Sequence, residues 1–214
     1  MAVPGFPPNT LDEEGVPLWI SGLVDEDPNY SVHVVRGLDP ADALEALGAK
    51  LRLFRPWQLP DTLDDWTWLS AAPHGIDLDE YSTLLLAGRV GEWTFVYDDF
   101  MATMDDQTPV LAAAGRVAAT STMSINTDAS LTYCVDGENL AWINVDDLEL
   151  DRGLPAMPDE LRAAFEAAGT FDLDYLEPGE ADYSIGMRAV SALANLRCTL
   201  ADLRGIPLVI TPFG

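Results

Sequence analysis

The sequence predicts an α+β domain, with a largely antiparallel sheet of about five to seven strands and helices packed mainly on one face. Three observations carry this. β-rich runs cluster in the middle of the chain in hairpin order. Segments with helical apolar spacing lie before and after them. The balance of 48% hydrophobic to 22% charged residues is that of a globular chain rather than a disordered one. A chain of 214 residues buries about 70% of its unfolded surface, enough for a core without disulfide or metal staples.

Residues 1–29 hold five prolines and six acids without a basic residue. They read as an extended N-terminal arm that docks through the apolar LWISGLV at Leu18 to Val24, and residues 30–214 as a single domain. YSVHVVR alternates Val32 and Val34 against His33 and Val35, as a strand does. GLDPADALEALGA reads as a helix, with Asp39 as N-cap, Pro40 in the first position, Ala43, Leu44 and Leu47 on one face, and Gly48 as the stop. LRLFRPW reads as a strand or extended edge ended by Pro56. STLLLAGRV and EWTFVYD form a hairpin about Gly91, and TPVLAAAGR a helix. A meander follows: RVAATSTMSI, a turn at NTDA, SLTYCVD, an Asp136-Gly137 turn, and ENLAWINV. PDELRAAFEAAG is an amphipathic helix begun by Pro158 and ended by Gly169. A last helical region spans about Asp182 to Leu203, with Leu193, Leu196, Leu200 and Leu203 at helical spacing.

The strongest global signal is charge: 36 acidic against 11 basic residues, a formal net charge of -25. Nucleic acid and anionic lipid surfaces both require a cationic face, so neither is expected as a partner. A basic protein is. The alternative is that acidity serves solubility or adaptation to salt. No apolar run approaches the roughly 20 residues of a membrane span, and the N-terminal stretch lacks a basic n-region, which points to the cytoplasm. Two cysteines, Cys134 and Cys198, are too few for a disulfide framework and read as reduced, buried thiols.

Most catalytic motifs are missing. Of two histidines, His33 sits between valines in a strand and His74 in the turn APHGI; neither accompanies GxSxG or HExxH, and both read as structural or merely exposed. GxGxxG and GxxxxGK[ST] are absent, and the Cys and His residues have no zinc-finger spacing. DEDPNY places Asp25, Asp27 and Asn29 like the first ligands of an EF-hand loop, yet Tyr30 replaces the obligatory Gly and Arg36 the bidentate Glu. No cofactor or metal is expected.

What remains is an acidic, aromatic stretch. Asp61 to Asp106 carries eleven acids and one basic residue, interleaved with large aromatics that include Trp66, Trp68, Tyr81, Trp93, Phe95 and Tyr97. Its pairs Asp64–Asp65, Asp98–Asp99 and Asp105–Asp106, with Asp146–Asp147 further on, could bind metal or work as acid and base, but adjacent aspartates on a strand point to opposite faces. Trp66 and Trp68 share one face of an extended segment, as core or as an interface anchor.

The segment VRGLDPADALEALGA, followed by WTFV, a strand pair ending in VDGE and a Leu-rich C-terminal helix, resembles an uncharacterised family of small actinobacterial cytoplasmic proteins. The chain departs from that pattern in its acidic stretch and shorter C-terminal segment. The resemblance implies an intracellular α+β domain and nothing about chemistry.

The sequence therefore supports a non-enzymatic binding protein of the immunity, antitoxin or inhibitor kind, which docks a basic protein through Asp64, Asp65, Trp66, Trp68, Asp98, Asp99, Asp105 and Asp106. The alternatives are a carboxylate-using hydrolase or small-ligand-binding protein, and a structural or assembly subunit.

Overall fold

The computed structural model describes residues 3–23, 29–59, 83–124, 126, 128–144, 157–169 and 182–214. The strands are β1 (Tyr30–Arg36), β2 (Arg55–Trp57), β3 (Thr83–Val90), β4 (Trp93–Asp98), β5 (Val117–Met123), β6 (Ala129–Val135), β7 (Glu138–Asn144) and β8 (Leu208–Phe213). They form one antiparallel sheet in the order β2-β8-β3-β4-β1-β5-β6-β7. The helices are α1 (Leu18–Ser21), α2 (Pro40–Ala46), α3 (Thr108–Ala112), α4 (Asp159–Ala168), α5 (Ile185–Leu193) and α6 (Leu200–Leu203).

The α+β class and antiparallel sheet are as the sequence indicates, but the sheet has eight strands. The extra strand is β8, which inserts between β2 and β3. Pro56 lies inside β2, at the sheet's edge, where its missing N–H costs no ladder bond.

The expected one-sided helical layer is also corrected. Val32, Val34, Leu84, Leu86, Phe95 and Leu131 meet Trp19 and Ile20 of α1, Leu161 and Phe165 of α4, and Ile185 and Val190 of α5. The opposite parity, Val35, Leu85, Ala87, Val96, Ala118 and Cys134, meets Ala43 and Leu44 of α2 and Leu111 and Ala112 of α3. The physical reason is in the strands themselves. All six residues of β4, and the first six of β1 and of β3, are buried, so neither face of the central sheet is left to water. Cys134 belongs to the second cluster, whereas Cys198 packs on the first; the thiols are separated by the sheet and unbonded.

Local signals act much as their chemistry requires. The β3–β4 turn uses Gly91 at φ 58, and the β6–β7 turn uses Asp136 and Gly137 at φ 51 and 80. Gly169 ends α4 in the left-handed region at φ 91. Asp39 occupies the N-cap position of α2 without a capping bond, its carboxylate being drawn to Arg89 instead. The expected C-terminal helix is two helices, because Asn195 turns left-handed at φ 55 and the Leu196 amide returns to the Ser191 carbonyl at 2.7 Å. Arg188, 5% exposed, ties distant pieces together: it donates to the carbonyls of Ala168 and Gly15 and pairs with Asp182.

Candidate functional site

The residues that follow β4 build the site. Asp98 ends the strand with its carboxylate turned inward, and Oδ1 accepts the Phe100 amide at 3.0 Å while Oδ2 accepts the Thr103 amide at 2.6 Å and the Thr103 hydroxyl at 2.7 Å. One side chain thereby folds residues 99–103 back over the sheet, through a left-handed Met101 at φ 51. Ser31 of β1 holds the return by donating to the Thr103 carbonyl at 2.7 Å. A 3-10 turn, Asp105–Gln107, then leads into α3.

Beneath this loop runs a buried polar chain. His33 Nε2 lies 2.9 Å from Thr103 Oγ1 and Nδ1 lies 2.8 Å from Thr120 Oγ1. Thr108 Oγ1 reaches Thr120 Oγ1 at 2.6 Å and the Asp105 carbonyl at 2.7 Å. Each of His33, Asp98, Thr103, Thr108 and Thr120 is inaccessible to solvent. Burial pulls the imidazole down to about 3 and pushes the Asp98 carboxyl up from its ordinary value, against the opposing pull of its hydrogen-bond donors. His33 is therefore structural, as its sequence context suggests, with both ring nitrogens engaged and no path to a substrate.

Above the loop the surface is different. Asp105 Oδ2 accepts from the Trp142 indole at 3.2 Å, from Thr132 at 3.1 Å and from Ser130 at 3.5 Å. Thr132 and Trp142 are register partners on β6 and β7, and α3 packs beside them. Trp142 nevertheless remains 57% exposed, with Leu140, Met104 and Val110 at 47%, 45% and 52%. Exposed apolar side chains are common singly; here an exposed Trp is held by a carboxylate, Met104 is the residue before that carboxylate, Leu140 lies on the same strand as the Trp, and Val110 lies on the neighbouring helix. The segment 98–144 contributes seven acids and a single basic residue, Arg116, whose Nε is engaged by the Leu111 carbonyl.

The expected contact residues are divided by this geometry. Asp106 is exposed, Asp105 is half-buried and orients Trp142, and Asp99 is half-buried and accepts from Thr83 at 2.9 Å. Asp98 is corrected: with no exposed surface it is a loop anchor and cannot touch a partner. Asp64, Asp65, Trp66, Trp68, His74, Asp146 and Asp147 lie outside the described residues. Trp142 was not singled out by the sequence, since ENLAWINV reads as strand; the strand's position at the sheet edge is what exposes it. Among the described residues no group of three or more His, Cys, Asp or Glu is placed to hold a metal, and no helix is long and apolar enough to cross a membrane. A shallow groove beside β2 is lined by Trp57, Gln58, Arg204 and Ile206 among others, with no carboxylate among the described residues of its lining.

Fold and surface together define a class: an α+β protein with a two-faced antiparallel sheet, carrying an acidic rim around an exposed tryptophan. The model of a family of unknown function, DUF6461, matches residues 18–199, and the chain belongs to that family. No curated protein and no solved structure matches it.

Proposed function

We propose that the protein is a non-enzymatic, cytoplasmic binding protein that docks a basic protein partner on the rim formed by Asp105, Asp106, Met104, Val110, Leu140 and Trp142. The observation that carries this reading is the Trp142–Asp105 contact: a large aromatic is oriented by a hydrogen bond yet kept in solvent. Interfaces combine such aromatic anchors with charged rims. A net charge of -25 steers cationic surfaces toward the protein and away from nucleic acid. The mechanism is occlusion, as in an immunity or inhibitor protein that covers a partner's basic cleft. The catalytic alternative is not favoured by any feature of the rim or of the β2 groove.

The test is photo-crosslinking in cells, with a photoreactive residue at position 140 or 110 and a control at the exposed Ala163 of α4. The reading expects the same strongly basic protein joined at 140 and 110 and not at 163. Adducts confined to 163, or to acidic proteins, would sink it.

A further inference from the structure

The loop after β4 is a strap laid across the sheet. Its first tie is at the end of β4, where Asp98 accepts the amides of Phe100 and Thr103. Its second is to β1, where Ser31 donates to the Thr103 carbonyl and His33 Nε2 meets the Thr103 hydroxyl. Thr108 carries the path to Thr120 of β5, and Asp105 closes it on Thr132 of β6 and Trp142 of β7. These strands are neighbours in the order β4-β1-β5-β6-β7, so the strap is fastened at every step. Within it Met101 keeps a left-handed φ of 51, a conformation that persists in a Met only where surrounding bonds over-determine it.

What the strap carries outward is Phe100, the most exposed large apolar side chain among the described residues, at 71%. Its amide is tied to a carboxylate closed to water, so the backbone cannot rotate to bury the ring without costing that carboxylate a donor. Trp142 repeats the arrangement at the other end. One aspartate holds each aromatic, Asp98 by the Phe100 amide and Asp105 by the Trp142 indole, and both rings stay in solvent. A single exposed apolar side chain is ordinary; two aromatics fixed by one strap form a built surface.

We propose that Phe100 is a second anchor of the docking surface, presented in the free protein already in its bound pose, and that the basic partner receives it in an apolar pocket bordered by cationic groups. This rests on the rim as a docking surface for a basic protein, and extends that surface from β7 to the far end of the strap. Four inter-strand steps set the ends of that span about 19 Å apart, within one interface of about 800 Å² per partner. Charge decides the chemistry of the pocket. Val90 to Gly115 holds five acids and no basic residue, so the complement to Phe100 is an apolar cavity with Lys or Arg at its border. An anionic membrane surface is repelled by the same acids. The fastening matters because ordering a loop on binding subtracts from affinity, and here the ordering is complete before the partner arrives.

The first test needs no partner. In the isolated protein the Phe100 and Thr103 amides are expected to exchange with deuterium slowly, as strand amides do; exchange at the rate of an open loop would overturn the fastened pose. A photoreactive residue at position 100, used beside positions 140, 110 and 163, is expected to join the basic protein that 140 and 110 join. That protein, purified, is the probe for kinetics. Phe100→Ala is expected to raise its dissociation rate about 30-fold or more, as truncation of an anchor does, at an unchanged melting temperature because the ring lies in solvent. Thr103→Val, which removes one tie of the strap, should weaken binding several-fold by itself and add nothing in the Phe100→Ala background; an equal cost in both backgrounds would overturn the link between fastening and anchor. Adducts at 140 and 110 but none at 100, or an unchanged dissociation rate in Phe100→Ala, would overturn this inference and leave the rim as the docking surface. No common basic protein at 140 and 110 would end both. Binding of the native protein to phosphatidylcholine vesicles, lost in Phe100→Ala, would assign the loop to a bilayer and overturn the protein pocket.

Discussion

Asp98 receives the amide and the hydroxyl of Thr103 on the same carboxyl oxygen, at 2.6 and 2.7 Å, in a site closed to water. The return of the loop after β4 therefore depends on a single threonine. Thr103→Val conserves shape but removes the hydroxyl that links Asp98 to His33, leaving two buried polar atoms short of a partner. The expected cost is about 1–3 kcal/mol in denaturant midpoint analysis, at unchanged m-value. Thr103→Ser, which keeps the hydroxyl, should recover most of it; equal losses would mean that packing and not hydrogen bonding is at stake.

Arg188 gives a larger effect. Its guanidinium serves the carbonyls of Ala168 and Gly15 and the carboxylate of Asp182, so Arg188→Met strands all three. Loss of one partner from a buried charged cluster costs about 3–5 kcal/mol. Proteolysis should begin near Gly15, since the segment before α1 loses that tie. A variant as stable as the wild type, with the same cleavage pattern, would show that the cluster contributes nothing.

Reductant should leave the melting temperature unchanged. Cys134 and Cys198 pack on opposite faces of the sheet, and burial, with Asp105 beside one and Asp202 beside the other, pushes their thiols up to about 11 and about 12. Such thiols are poor nucleophiles at neutral pH. A drop of several degrees would indicate a bond that this fold does not accommodate.

Much of the fold is legible in the chain, and the exceptions are instructive. The helix Asp159–Ala168 and the Asp136-Gly137 hairpin follow from spacing and turn chemistry within a few residues. β8 is harder to read: LVITPF is short, contains Pro212 and follows a helical pattern, so nothing local distinguishes it from a tail. The second helical layer is signalled by the unbroken run Leu84 to Ala87, which is apolar at both parities. The site is less legible because it is made by register. Whether Asp98 or Asp99 points inward is a matter of strand parity, and His33, Thr103 and Thr120 meet only through strand pairing and the loop return. Trp142 looks like any strand aromatic until β7 is seen to lie at the sheet edge.

Charge at the rim should govern encounter. Replacing the exposed Asp106 and Glu138 by Asn and Gln is expected to slow association with a basic partner several-fold and to flatten its dependence on salt, with little change in dissociation. Stopped-flow association at two ionic strengths reads this. The same substitutions at Asp42 and Glu45 on α2, outside the rim, serve as the control and should do much less; an equal effect would mean that only net charge matters.

The most direct measurement is the dissociation rate of the partner identified at positions 140 and 110, for the native protein and for Trp142→Ala. Trp142 is exposed and its indole is held by Asp105 alone among the described bonds, so truncation should leave the fold intact and remove only the anchor. Loss of a true anchor costs about 2 kcal/mol or more, which is a dissociation rate faster by a factor of about 30 or more at 25 °C, with association nearly unchanged. An unchanged dissociation rate in Trp142→Ala would contradict the account, and would place the docking surface away from this rim.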